Sequence, residues 1–273
     1  MPVISTNNAA NSALNYLNQN SNAETNQLAQ LASGSRITQA SSDAAGLAIG
    51  TQLQASVTTY TQDETNVQQG TAILQTADGA LAQISNILQR MMALATEAAS
   101  GQVTDAQRSQ DINTEYSQLS SQITSIVGST QYAGQTVLSG SFLQNVKFLT
   151  GTNSSNTISV TVSAVSVSGL GLASNVSTAS AALTAIGTIN SAINTVTEER
   201  AKLGAYESRF NFSNQDISTN VQNLSSAESV IMDADVASVK SSLSATDVKT
   251  QASVAALTQA AQLPTELLRL IQS

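Results

Sequence analysis

Three carboxylate pairs come closest to the composition of a reactive site: Asp63-Glu64, Glu198-Glu199 and Asp233/Asp235. Two carboxylates can divide acid and base roles when their environments push their pKa values apart, and several together can ligate calcium. Each pair has a plainer reading. Asp63-Glu64 fits a solvated helix face, and Glu198, Glu199, Arg200 and Lys202 read as a surface charge cluster beside a helical seam. Asp233 and Asp235 precede a fresh helical pattern and read as N-caps. A calcium site there would need further oxygen ligands that the sequence does not show. The chain has no histidine and no cysteine, which removes Ser-His-Asp triads, histidine zinc motifs, thiol nucleophiles and disulfides. Gly169-Leu170-Gly171 lacks the third glycine of a dinucleotide fingerprint, and no Walker A run occurs. No catalytic, cofactor-binding or metal-binding residue is assigned, and the chain does not read as an enzyme.

The composition points to helices that pair. Only 3 % of the 273 residues are aromatic, with no tryptophan, so a thick globular core cannot be filled. Alanine and leucine instead suit thin bundles in which helices approach closely. Charged residues make up 10 %, and uncharged polar residues dominate the remainder, as suits faces that end against neighbouring subunits. The net charge of −8 is uneven: residues 61–140 carry seven acids against two bases, while 1–60 and 233–273 each total −1. With no basic patch, nucleic acid is excluded as a partner. No run of 18 apolar residues is present to span a membrane. No basic residue precedes Arg36 and no apolar core follows Met1, so a cleaved secretory signal is not expected. These facts alone make the cytoplasm the default.

Two rows of apolar residues at alternating three- and four-residue steps organise the chain. The first runs through Val67, Gly70, Leu74, Ala77, Leu81, Ile84, Leu88, Met91 and Ala95. The second runs from Ile186 to Ile231 through Val196, Arg200, Leu203, Phe210 and Ile217. Such rows demand partner helices along their whole length. The spacing predicts helices over about 44–100, 104–128 and 177–231, the first entered from a Ser41-Ser42-Asp43 cap and the second from a Thr104/Gln107 capping box. Gly46, Gly50, Gly70 and Gly79 lie inside the first and read as points of close helix approach.

The ends are sparser. Leu14, Leu17, Leu28 and Leu31 mark a helix over about 5–33 whose seam is thin and whose Asn content is high. Val236, Val239, Leu243, Leu257, Leu267, Leu268 and Ile271 mark a matching helix at the other end. These residues are the candidate assembly interface. Between about 132 and 172 the period falls to two: Ile158, Val160 and Val162 alternate with Ser159, Thr161 and Ser163, with Val137-Leu138 and 147–149 as further strand candidates. This reads as a small antiparallel sheet that needs the helices for support. The fold class is mainly α: a long antiparallel helical bundle or coiled coil with a small antiparallel β region in mid-chain.

Several strings resemble a known family. Leu31-Ala32-Ser33-Gly34-Ser35-Arg36-Ile37, then Ser42-Asp43-Ala44-Ala45-Gly46-Leu47-Ala48-Ile49, is similar to the N-terminal signature of bacterial flagellins. The segments 75–84 and 87–90 continue it in order. Arg200-Ala201-Lys202-Leu203-Gly204-Ala205, Asp233-Ala234-Asp235-Val236-Ala237 and the Ala-rich tail to Leu268 are similar to the flagellin C-terminus. The match covers about 130 N-terminal and 95 C-terminal residues.

The resemblance implies a subunit of the flagellar filament, a helical homopolymer that serves as a propeller and accepts other flagellins of the same cell. It implies that 1–33 and 233–273 form an inner coiled-coil layer, 34–131 and 173–232 an outer helical bundle, and 132–172 a small β-hairpin region. It also implies export through the flagellar type III apparatus without a cleaved signal, an export chaperone, and flagellar cap and hook-associated partners, which reverses the cytoplasmic default. Gln89, Arg90 and Leu94 fall in the segment that a vertebrate Toll-like receptor senses in this family. Many members follow the Gln-Arg pair with a second Arg and a Glu, where this chain has Met91-Met92, so weakened recognition is expected. Two alternatives stand beside this reading: a hook–filament junction protein, and a surface carbohydrate-binding or adhesive protein using the 132–172 sheet.

Overall fold

The computed structural model describes residues 7–140, 142–172 and 175–272, apart from the side chains of 263, 266–268 and 270–272. Helices dominate: α1 (Asn8–Ser33), α2 (Ala44–Ala99), α3 (Asp105–Gln107), a π-helical turn (Arg108–Ile112), α4 (Asn113–Ser129), α5 (Ala179–Met232) and α6 (Val236–Gln272). Two hairpins lie between α4 and α5: β1 (Gln131–Tyr132) with β2 (Gln135–Thr136), and β3 (Val146–Leu149) with β4 (Thr157–Val160). The mainly helical class with a small mid-chain β region is therefore what the chain adopts. It divides into two units, one of residues 1–56 and 223–273, the other of 57–222.

In the larger unit the first apolar row is buried throughout, from Val67 to Ala95. It packs with Ile189, Val196, Leu203, Phe210 and Ile217 of α5 and with Ile112, Tyr116 and Ile123. The helices α2 and α5 run antiparallel. Asp78 pairs with Arg200 at 2.8 Å, and further along Gly70 lies beneath Phe210. A Cβ at Gly70 would stand 3.1 Å from the Phe210 ring and 3.2 Å from that of Phe148, so a side chain there would press on both rings. Gly79 differs from expectation: it is exposed, with open space where a Cβ would point.

The expected helix over 104–128 is not continuous. Thr104 and Gln107 form the capping box, but a π-turn follows before α4. Arg108 opens that turn, 4 % exposed and turned inward. Its guanidinium donates to the carbonyls of Ala98, Ser100 and Val103 and pairs with Asp105. The carbonyls left open at the end of α2 are thereby satisfied by a side chain eight to ten residues on.

The β region also departs in detail. β3 pairs with β4 in the register Val146↔Val160, Lys147↔Ser159, Phe148↔Ile158, Leu149↔Thr157. Ile158, Val160 and Val162 are all buried, as their alternation predicts. Val137-Leu138 and 161–167 are not strands; they are tied by single bonds, Val162 N–H to Leu143 O and Val165 N–H to Leu138 O. The β1–β2 turn has φ 49° at Ala133 and 80° at Gly134, the two left-handed positions of a two-residue hairpin loop. Phe148 meets Phe210 edge-on, ring centres 5.2 Å apart, which docks the β3–β4 hairpin on α5.

The charge cluster on α5 is corrected as well. Glu199 is 3 % exposed rather than a surface residue. Its carboxylate accepts the Ser163 backbone N–H at 3.1 Å and the Lys202 ammonium at 2.8 Å. Burial opposes its charge, yet these two donors hold its pKa below the usual carboxylate range. Arg200, placed on the seam by the sequence pattern, is exposed.

Candidate assembly interface

The helix α1 begins and ends, and α6 begins, at residues suited to those positions. The Asn7 side chain accepts the Ala10 N–H and donates to the Ala260 carbonyl at 2.6 Å, so it caps α1 and ties it to α6. Gly34, at φ 71°, closes α1 by returning its N–H to Gln30. Asp235 starts α6 by accepting the N–H groups of Ala237 and Ser238. Its neighbour Asp233 accepts the Ser229 hydroxyl. These two carboxylates are thus engaged in closing one helix and opening the next.

The segment 34–43 is fastened to the α5–α6 break. Ser35 bridges to Asp233, Arg36 N–H donates to Met232 O at 2.7 Å, and Ala234 N–H donates to Gly34 O at 2.9 Å. The Arg36 side chain donates to Ile231 O and pairs with Asp43 at 3.2 Å. Asp43 in turn accepts the Gly46 N–H at 2.8 Å and caps α2. The Gly46 N–H, then the Arg36 guanidinium, lower the Asp43 pKa. At Gly50 a Cβ would run into the Met232 side chain, so α2 and α5 approach closely in this unit too.

The helices α1 and α6 pack against each other through faces of strict three–four spacing. On α1 the inward positions are Ala10, Ala13, Leu17, Asn20, Glu24, Gln27 and Leu31. On α6 they are Val239, Leu243, Thr246, Thr250, Ser253, Leu257 and Ala260. Asn20 donates to the Ser253 hydroxyl at 3.0 Å, and the Thr250 hydroxyl donates to Glu24 at 3.3 Å. Among the described residues of this seam only Leu243, Thr246 and Ala260 fall below 9 % exposure.

The candidate interface residues therefore divide. Leu17, Leu31, Val239, Leu243 and Leu257 face the partner helix of the same chain. Leu14, at 45 % exposure, Leu28 and Val236 face outward. The side chains of Leu267, Leu268 and Ile271 lie outside the described residues. Sequence spacing missed Tyr16, Val248 and Val254, which are also exposed. Of ten large apolar residues exposed among the described residues, eight lie in this smaller unit, the others being Leu183 and Phe212. A single subunit leaves these apolar side chains uncovered.

Gln89 and Arg90 are exposed on α2, where Arg90 pairs with Glu115 at 2.7 Å. Leu94 lies in the core at 2 % exposure. Among the described residues no group of three acidic side chains is arranged to hold a metal ion, and no helix is long and apolar enough to cross a membrane.

Residues 4–143 match the bacterial flagellin N-terminal helical region, and 186–271 match the bacterial flagellin C-terminal helical region. A flagellar filament 30.7 kDa core protein of Treponema maltophilum is 34 % identical over 246 residues, 85 % of this chain and 86 % of that protein. A flagellin of Bacillus subtilis is 32 % identical over 97 % of this chain and 98 % of its own length. Among solved structures, the crystal structure of Bacillus cereus flagellin is similar at 29 % identity and a TM-score of 0.50, covering 60 % of this chain and 94 % of the other.

Proposed function

This chain belongs to the bacterial flagellin family, and from that premise we propose which of its surfaces build the filament. It is a structural subunit of the flagellar filament, not an enzyme, and it polymerises with copies of itself in that extracellular filament. In our reading the terminal segments 1–33 and 233–273 form the inner coiled-coil layer. Residues 34–131 with 173–232 form the outer helical bundle, and 132–172 form a small β region upon it. The observation that carries this is the exposed apolar surface of the smaller unit: Leu14, Tyr16, Leu28, Val236, Val248 and Val254 stay uncovered in the single chain. Burying each of them against neighbouring copies contributes about 1–3 kcal/mol. That gain offsets the ordering cost of helices whose own seam is sparse.

Heat-dissociated protein is expected to regrow helical filaments on cooling, seen by electron microscopy. Chains lacking 1–33 or 233–273 are expected to stay as folded, soluble subunits; filaments from either truncation would overturn the role given to the terminal helices. The same reading includes export without a cleaved signal, an export chaperone, and the flagellar cap and hook-associated proteins as partners. It also includes weak recognition by the innate receptor, because Met91-Met92 stand where many members carry a second Arg and a Glu. Receptor activation at full potency by the purified protein would refute that last point.

A further inference from the structure

We infer that the polar middle of the α1–α6 seam selects one antiparallel register for the two terminal helices, at a cost in stability. Three successive layers form this middle: Asn20 with Ser253, Glu24 with Thr250, and Gln27 with Thr246. The first two are hydrogen-bonded across the seam. The register they define sets Gln27 opposite Thr246, whose hydroxyl donates to the Ser242 carbonyl of its own helix. Gln27 Oε1 is left buried with no hydrogen-bond partner. Leucines in these layers would bury more apolar surface and remove the orphaned oxygen, so stability alone does not account for the polar residues.

What the polar layers supply is discrimination. A seven-residue repeat of leucines accepts a slip of one heptad, because every layer then resembles the next. Here a slip in either direction carries Glu24 to Leu243 or Leu257 and breaks both cross-seam hydrogen bonds. Placing a carboxylate against a leucine in a half-buried layer is unfavourable. The inference concerns the pairing of two helices of one chain and does not depend on what the filament does.

The absence of native cysteine allows a direct test, since an introduced pair reports one geometry. Ala13→Cys with Ala260→Cys marks the native register, and Ala10→Cys with Leu257→Cys marks a slip of one heptad. Each pair is placed in the full chain and in the same chain carrying Asn20→Leu, Glu24→Leu, Gln27→Leu, Thr246→Leu, Thr250→Leu and Ser253→Leu. Internal cross-linking is read on non-reducing gels, for free subunits and for filaments. In the parent the native pair is expected to exceed the slipped pair at least about tenfold, and in the leucine chain the two are expected to become comparable. Amide exchange over 8–33 and 236–262 is expected to slow about tenfold in the leucine chain. Native-only cross-linking in both chains would overturn the inference, as would exchange no slower in the leucine chain. A parent that cross-links neither pair in either state would overturn it too. Failure of the parent to regrow filaments would count against the assembly reading and leave this test to the free subunits.

Discussion

The carboxylate of Glu199 on α5 accepts the backbone N–H of Ser163 at 3.1 Å, fixing the end of the β region to a long helix 36 residues further along the chain. Burial opposes the charge, but the Lys202 ammonium and then this N–H together hold the carboxyl below its ordinary pKa, so the native state favours the ionised form. The stabilisation is present above the ordinary carboxylate pKa and is lost as pH falls through the lowered native value. Glu199→Ala leaves the Ser163 N–H without its acceptor and is expected to cost about 2–3 kcal/mol at neutral pH. Glu199→Gln is expected to cost less. Thermal unfolding of the subunit at pH 7 and in acid checks both, and a Glu199→Ala chain that shows the parent's midpoint at pH 7 would refute the role.

Arg108 closes α2 from outside that helix, with three carbonyls and Asp105 as its partners. Asp105 is almost fully exposed, so its pairing with Arg108 adds little; the carbonyl contacts matter more. Arg108→Ala is expected to destabilise the subunit by about 2–4 kcal/mol, and Arg108→Lys to recover only part of this, because a compact ammonium lacks the spread of guanidinium nitrogens that reaches these carbonyls. Hydrogen exchange should show the loss first at 96–104. Uniform protection there in the alanine variant would contradict this assignment.

Two glycines of α2 are expected to respond with opposite sign. Gly79→Ala fills open space and gains helix propensity, up to about 1 kcal/mol of stability. Gly70→Ala gains the same propensity but presses on Phe148 and Phe210, and overpacking of this kind costs about 1–3 kcal/mol. A net loss for Gly70→Ala and a gain for Gly79→Ala, read from denaturant midpoints, is the expected pair of results.

Asp63 is 1 % exposed, and its Oδ2 has no hydrogen-bond partner. Burial raises its pKa, with the Asn66 side chain opposing the rise. The native state therefore favours the protonated acid, and stability is lost as pH climbs through the raised value. Asp63→Asn is expected to raise the unfolding midpoint at pH 7 by removing a buried carboxylate that Asn66 only partly offsets, worth about 1–2 kcal/mol. The advantage should vanish below the ordinary carboxylate range. A variant less stable than the parent at pH 7 would show that the ionised carboxylate is stabilised in place.

The sequence by itself determined the long helices, their antiparallel pairing and the family. Periodicity is a property of each segment alone, and rows such as Val67 to Ala95 can be buried in only one way. It also determined the caps at Thr104, Asp43 and Asp235, which act within a few residues. What it did not decide was which of two equivalent phases a seam takes. Glu199 lies three residues after Val196 and four before Leu203, whereas Arg200 lies four after and three before, so both fit the heptad. The tertiary structure buries Glu199, because the Ser163 N–H arrives on that side. Likewise Leu14 and Leu28 share a face, as do Leu17 and Leu31, and only the packing of α6 shows which pair is turned inward. Arg108 carries no local signal, since its partners are carbonyls that become available only where α2 ends. Local periodicity names the candidates; the position of the neighbouring backbone decides which of them are buried.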